Sequence, residues 1–414
     1  MMKIIDLNSK VVKNGMWLVV LQIFNMVVPL LTIPYITRVL GTTNYGIFSL
    51  ALNWVTYIQV IVEYGFAFTG ARQVSISSDN NLQKLFSRII TARLILMSFS
   101  YVTVNIFGYL LSIDNVSMIS LNILFAIVVG VAFQLNWLFQ GKQDMKHITI
   151  INAIARLVSV VAVFCIVKSS EQIYLYCSCY ALTFLISAAL SLGLANKKYG
   201  LKFRLCSLED AFGEMKQGWY LFISQAMAKI FSGIGITVLG IFASASIVGV
   251  YSAIYKIPFV IILLFSPISQ ALYPHMSVCF KTSLAFGMKK IINIAKFIIP
   301  PFIIAGIIIV IFKEKIISLA FGDEYVYYSV IIIPLMMWVV FSILNNFLGI
   351  QILVASGNQQ TYSKAFTLSS VVSIFFNISL GFLFGIYGVA IAAPVGEILL
   401  AFLLYKKVHN LLNE

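Results

Sequence analysis

The chain has 414 residues, of which 61% are hydrophobic and only 10% charged, with a mean hydropathy of +0.98. An ordinary soluble domain is about 45–50% apolar and about 25% charged, so this composition excludes a water-soluble fold and makes lipid the solvent. The formal net charge of +14 would point to nucleic acid in a soluble protein; in a membrane protein it reads first as inner-side loop charge, and no nucleic-acid partner is expected.

The apolar runs lack the in-and-out alternation of barrel strands and are long enough for helices of about 20 residues that cross the hydrocarbon core. In chain order the spans are predicted at 15–39, 47–69, 86–111, 117–139, 148–167, 173–194, 219–242, 249–273, 292–312, 328–352, 365–384 and 388–405. The basic residues Lys3, Lys10 and Lys13 precede an apolar stretch longer than a signal-peptide core, which predicts an uncleaved first span. The expected fold is an all-α polytopic membrane protein with twelve transmembrane helices.

Placed on these spans, nineteen of the 28 Lys and Arg fall on the side of the N-terminus. Four, Arg38, Lys168, Lys313 and Lys315, fall on the other side, and five, Arg93, Arg156, Lys229, Lys256 and Lys296, fall within spans. Positive charge is retained on the cytoplasmic side, so both termini are expected to be cytoplasmic. The longest segment between spans, 196–218, contains Ser207-Leu-Glu-Asp210, a capping-box-like start for a short interfacial helix.

The outer loops, 41–46, 243–247 and 384–387, are too short to carry the catalytic carboxylates expected of a membrane polymerase. There is no G-x-x-x-x-G-K-[ST] pattern for binding ATP phosphates. The three histidines, His147, His275 and His409, are far apart, and the five cysteines form no metal or disulfide pattern. A transporter is expected rather than an enzyme, without metal or cofactor.

Two short matches lie close to half the chain length apart. Tyr45-Gly-Ile-Phe-Ser-Leu-Ala51 parallels Val248-Gly-Val-Tyr-Ser-Ala-Ile254, aligning Gly46 with Gly249, and Gly141-Lys-Gln143 parallels Gly357-Asn-Gln359. Duplication predicts two six-helix lobes, 1–200 and 201–414. Six spans per half make them parallel repeats, an architecture of transporters that enclose a central cleft.

Charges inside the membrane need an explanation. Five cations and two acids, Glu63 and Glu397, lie within spans. At about 2.5–3.5 kcal/mol each on insertion scales, seven of them facing lipid would cost on the order of 20 kcal/mol, against a typical stability of about 5–15 kcal/mol. Lys296 is near enough to the inner boundary to snorkel. Helical spacing gathers the others into polar stripes: Gln225, Lys229 and Ser232; Ser252 and Lys256; Gln22, Asn25, Pro29 and Thr32; Asn53, Thr56 and Glu63. They line either a wet cleft or interhelical ion pairs, such as Lys229 with Glu397 or Arg72 with Glu63. The excess of cations suits a phosphate, diphosphate or acidic sugar. Pro29 and Pro34 inside the first span remove backbone hydrogen bonds and predict a kink or hinge.

The run Pro34-Tyr-Ile-Thr-Arg-Val-Leu-Gly41, with Asn44-Tyr-Gly-Ile-Phe-Ser-Leu-Ala51, Glu63-Tyr-Gly-Phe66 and Gly70-Ala-Arg72, resembles the start of bacterial O-antigen (Wzx-type) flippases. Asn136-Trp-Leu-Phe-Gln-Gly141 and Ile148-Thr-Ile-Ile-Asn152 are similar to the same family's fourth and fifth spans. The resemblance implies the two-lobed fold shared with multidrug and toxin extrusion transporters and lipid II flippases. It implies movement of an undecaprenyl-diphosphate-linked oligosaccharide to the outer leaflet of a bacterial inner membrane, with membrane lipids, a polysaccharide polymerase and a chain-length regulator as partners. It also implies a path lined by Arg38, Arg72, Arg93, Arg156, Lys229 and Lys256. The two acids, Glu63 and Glu397, are candidates for H+ or Na+ coupling. The alternatives are a drug/cation antiporter of the same fold and a membrane polysaccharide polymerase.

Overall fold

A computed structural model describes residues 10–76 and 79–413; Lys3 lies outside them. Regular structure among the described residues is entirely helical. The chain opens with α1 (Lys10–Glu63), α2 (Phe66–Ile76) and α3 (Asp79–Leu110). Three short helices follow, α4 (Asn115–Leu124), α5 (Ala126–Phe133) and α6 (Asn136–Gly141), then α7 (Met145–Ile166), α8 (Ile173–Tyr199) and α9 (Leu208–Phe242). Beyond these come α10 (Ala245–Ile254), α11 (Lys256–Thr282), α12 (Leu284–Ile311) and α13 (Lys313–Phe321). A 3-10 turn at Asp323–Ile331 leads into α14 (Ile332–Asn345), which continues as a π-helix over Asn346–Val354, and α15 (Gln359–Asn413) ends the described chain.

Among the described residues ten helical segments are long and apolar enough to cross a bilayer, where twelve spans were expected. The counts differ because α1 and α15 each run through two expected spans. At 1.5 Å per residue the 54 residues of α1 extend roughly 80 Å, far beyond the ~30 Å hydrocarbon core. Each of these long helices is broken once, α1 at Gly41 (φ 70°, ψ 177°) and α15 at Gly385 (φ 57°, ψ −131°). Both conformations are open to glycine and strained for other residues. α15 doubles back at its break. A Cβ on Gly388 would lie 1.8 Å from the Leu380 carbonyl oxygen, and one on Gly396 would lie 2.6 Å from Ser373 Cβ.

Other boundaries also moved. The span expected at 117–139 is α4, α5 and α6, interrupted at Phe125 and at Gln134–Leu135. The interfacial helix expected from Ser207 is not separate. Ser207 Oγ accepts from the Asp210 N–H at 3.2 Å, Glu209 and Asp210 occupy the first turn where the helix dipole favours acids, and α9 then runs unbroken for 35 residues. Pro29 and Pro34 do not break α1, whose non-helical residue is Gly41. A proline φ near −65° is itself helical, whereas the positive φ of Gly41 is not.

The chain divides into two units. One holds the described residues through Thr32 with Ile47–Gly233, the other Ile33–Gly46 with Ile234–Glu414. In the first, Phe66, Phe86, Ile89, Trp137, Leu138 and Phe139 form the centre of a buried apolar cluster. α2 meets α6 closely there: Cβ atoms on Gly70 and Gly141 would lie 3.0 Å from the Trp137 ring and 2.6 Å from the Ala71 carbonyl oxygen. In the second unit the two glycines of the sequence repeat touch. A Cβ on Gly46 would lie 1.7 Å from the Ala245 carbonyl oxygen and 2.8 Å from Gly249 N, and one on Gly249 would lie 2.0 Å from the Thr42 carbonyl oxygen. Ser246 Oγ donates to Thr42 Oγ1 across the same contact at 2.8 Å. Small residues that let backbones approach are the usual adhesive between helices in lipid.

Candidate functional site

α1 ends at Glu63 because Tyr64 (φ 46°) and Gly65 (φ 77°) turn the chain left-handed. The turn packs on α9: the Tyr64 and Phe222 rings stack with centroids 4.6 Å apart, and Gly65 and Gly218 leave no room for side chains at the contact. Phe222, Gln225 and Lys229 recur at i, i+3 and i+7, one face of a helix. The stacked turn therefore sets Gln225 and Lys229 opposite the end of α1. Val60, Glu63, Gln225, Ala228 and Lys229 line an open cavity of about 340 Å³, near the lower end of the size range of ligand pockets.

Glu63 accepts a hydrogen bond from Gln59, one turn back, and interacts electrostatically with Arg93 and Lys229. Its cationic neighbours therefore do not include Arg72, which is exposed on α2, and Lys229 faces Glu63 rather than Glu397. Arg93 is only 3% exposed. Its Nη1 donates to the carbonyls of Val131 at 3.1 Å and Gln134 at 2.9 Å, and its guanidinium lies 5.9 Å from the Phe66 ring centroid. Those carbonyls lie at the end of α5, where Val131 O also takes the Gln134 N–H at 3.3 Å and the helix supplies few further donors. Arg93 fills that gap and faces Glu63 as well. Lys229 is less buried and lines the cavity. Two cations thus share one acid, Lys229 from the cavity lining and Arg93 from the buried side.

The remaining expected site residues are dispersed. Arg156 on α7 donates from Nη1 to Asn25 Oδ1 of α1 at 2.8 Å and acts electrostatically on Tyr180. Asn53 is buried and donates to the Gly233 carbonyl at 3.4 Å. Gln22 is half-buried on α1. In the second unit, exposed Arg38 donates to the carbonyls of Ser318, at 3.3 Å, and Leu319, at the end of α13. Tyr325 reinforces this contact by donating to the Thr37 carbonyl at 3.3 Å. Lys256 starts α11, 6.0 Å from the Phe259 ring centroid. Glu397 on α15 accepts from Asn345 and Trp338.

Sequence reasoning missed Gln59, the Gln134 break and Asn345. Gln59 stands one turn before Glu63 and was within reach of periodicity. Gln134 interrupts an apolar run, but only the structure shows that the chain unwinds there and takes Arg93 as its cap.

The family described as polysaccharide biosynthesis protein matches residues 11–280. A protein of Escherichia coli (strain K12) named as an O-antigen transporter is 26% identical over 406 residues, covering 96% of each chain. A protein of Haloferax volcanii named as the low-salt glycan biosynthesis flippase Agl15 is 21% identical, over 92% of this chain and 80% of its own length. Among solved structures, the lipid II flippase MurJ in an inward closed conformation superposes with a TM-score of 0.75 at 14% identity, over 96% of this chain and 87% of its own. A multidrug resistance transporter of the MATE family, inward-facing, gives 0.68 at 12% identity over 94% and 98%. At such identities the structures share the fold. The sequence match, spanning well over half of a polytopic, all-helical chain, establishes that this protein belongs to the polysaccharide biosynthesis protein family.

Proposed function

We propose that the protein is a flippase that carries an undecaprenyl-diphosphate-linked oligosaccharide from the cytoplasmic to the periplasmic leaflet of a bacterial inner membrane by alternating access. The observation that carries this reading is the cavity of the first unit, lined by Glu63 and Lys229, with Arg93 buried behind Glu63 so that two cations attend one acid among apolar helices. A diphosphate gains charge-assisted hydrogen bonds there, in surroundings where charge–charge interactions are far stronger than in water. A cationic drug would meet repulsion, which disfavours an antiporter of the same fold. The relatives named for O-antigen transport and glycan flipping support the same class of substrate.

On this reading each half of α1 and of α15 crosses the membrane, which makes twelve spans with both termini cytoplasmic. The polyprenyl tail stays in lipid while the diphosphate and sugars pass the cationic cavity. The flipped unit is then handed to a polysaccharide polymerase and a chain-length regulator, with membrane lipids as the surrounding solvent.

The test is complementation of a strain that lacks its repeat-unit flippase. Lys229→Ala, at membrane abundance equal to the parent, should reduce surface polysaccharide at least tenfold and accumulate cytoplasm-facing lipid-linked units. Unchanged polysaccharide would overturn the assignment of the cavity.

A further inference from the structure

The two membrane acids have opposite surroundings. Glu63 faces Arg93 and Lys229. Glu397, among the described residues, is held by uncharged donors. Asn345 Nδ2 lies 2.6 Å from its Oε2 and 2.8 Å from its backbone oxygen, and the Trp338 indole N–H also donates to it. The nearby titratable groups are the hydroxyls of Tyr255, at the α10–α11 junction, and Tyr362, at the start of α15. Lys256 follows Tyr255 but lies against the Phe259 ring.

A second observation concerns Asn345. It is 4% exposed, and its amide oxygen Oδ1 has no hydrogen-bond partner. An ionised carboxylate only accepts hydrogen bonds, whereas a protonated one carries an O–H donor. The orphaned oxygen, on the amide that binds Glu397, is therefore an acceptor that a protonated carboxyl can serve and an ionised one cannot.

Asn345 also sits where α14 changes into the π-helix. That helix is pinned by Gln351 Nε2, which donates to Ser269 O and Oγ at 3.0 and 3.1 Å, and by Ser269 Oγ, which donates to Asn346 Oδ1 at 2.8 Å. π-helical turns inside α-helices are rare and concentrate at functional sites.

We propose that Glu397, with Asn345 and Trp338, forms a proton-binding site in the second unit, distinct from the charge cluster around Glu63. The ligand is a proton rather than a metal cation, because the groups aimed at the carboxylate are N–H donors whose positive ends would face a bound cation. Uptake takes one proton from water onto a carboxylate oxygen and neutralises the one acid of the site. Its use in driving transport rests on the flippase reading; the binding itself does not.

The test is infrared difference spectroscopy of the full-length chain in nanodiscs, titrated across the physiological pH range. The carbonyl band of a protonated carboxyl should appear on acidification, persist in Glu63→Gln and disappear in Glu397→Gln. Should Glu397→Gln fail to fold, Trp338→Phe, which removes one donor, should move the midpoint of the same band. A band unaffected by both variants would overturn the site, as would a spectrum that responds to sodium at fixed pH and not to acid. The flippase reading fails separately, in the polysaccharide assay, whichever way the band behaves.

Discussion

Arg93 and Lys229 both approach Glu63, yet their surroundings give them different tasks. The Arg93 guanidinium closes the end of α5 through two carbonyls and balances Glu63 from a fully buried position. Truncating it would leave the Gln134 carbonyl without this donor and remove one of the two cations beside Glu63, and breaking a buried charged contact costs about 3–5 kcal/mol. Arg93→Ala should therefore lower the melting temperature of the detergent-solubilised protein sharply. Lys229→Ala should leave it within a few degrees of the parent and lose transport alone. Outside the membrane, Asp144 gathers His147 (Nδ1 at 2.6 Å), Lys198 and Tyr199 (Oη at 3.2 Å), tying the start of α7 to the end of α8. Burial alone would raise its carboxyl, but hydrogen bonds and charge from Lys198 and His147 outweigh burial and hold it below the usual aspartate value. A depressed carboxyl stabilises the fold above its unfolded value of about 3.9 and loses that contribution as pH falls through its folded value. Thermal melts should show stability dropping below about pH 4, with a smaller acid-dependent drop in Asp144→Asn.

At the scale of elements, close approach of backbones decides more than side-chain chemistry. Gly46 and Gly249 each press on a neighbouring backbone at distances no Cβ survives. Gly46→Ala and Gly249→Ala should each remove most of the monodisperse protein seen by size-exclusion chromatography after extraction. Gly193, inside α8 with open space around it, supplies the control. Gly193→Ala should be neutral or stabilise by about 0.5–1 kcal/mol, the helix preference of alanine over glycine. The repeat that aligns Gly46 with Gly249 was legible in the sequence, because two short motifs half a chain apart can be compared by eye. Their mutual contact was not, since it joins α1 to α10 across about two hundred residues. The break at Gly41 escaped notice for a related reason. Proline announces a kink in any sequence, but Pro29 and Pro34 fit within the helix, and the left-handed dihedral fell on Gly41.

For the whole molecule, the governing quantity is where the positive charge lies relative to the membrane. On the proposed twelve spans nineteen cations fall on the side of the N-terminus against four on the other, and one orientation is then favoured, because basic loops are retained in the cytoplasm. A fluorescent reporter fused after Glu414 should be bright. Alkaline phosphatase inserted at Ser244, between α9 and α10, should be active and at Lys142 inactive; the reverse pattern would reject the twelve-span arrangement. Composition, hydropathy and charge distribution thus determined by themselves that the chain is an all-helical membrane protein, and its motifs pointed to the family, because these properties depend on local chain chemistry. Which buried charges meet was decided only by the tertiary structure. Glu63, Arg93 and Lys229 lie far apart in sequence and come together through the Tyr64–Gly65 turn and its stacking on α9, while Glu397 finds uncharged donors in Asn345 and Trp338. Partners of this kind are set by packing between distant helices, and helical periodicity can give the face a residue occupies but not the residue that face will meet.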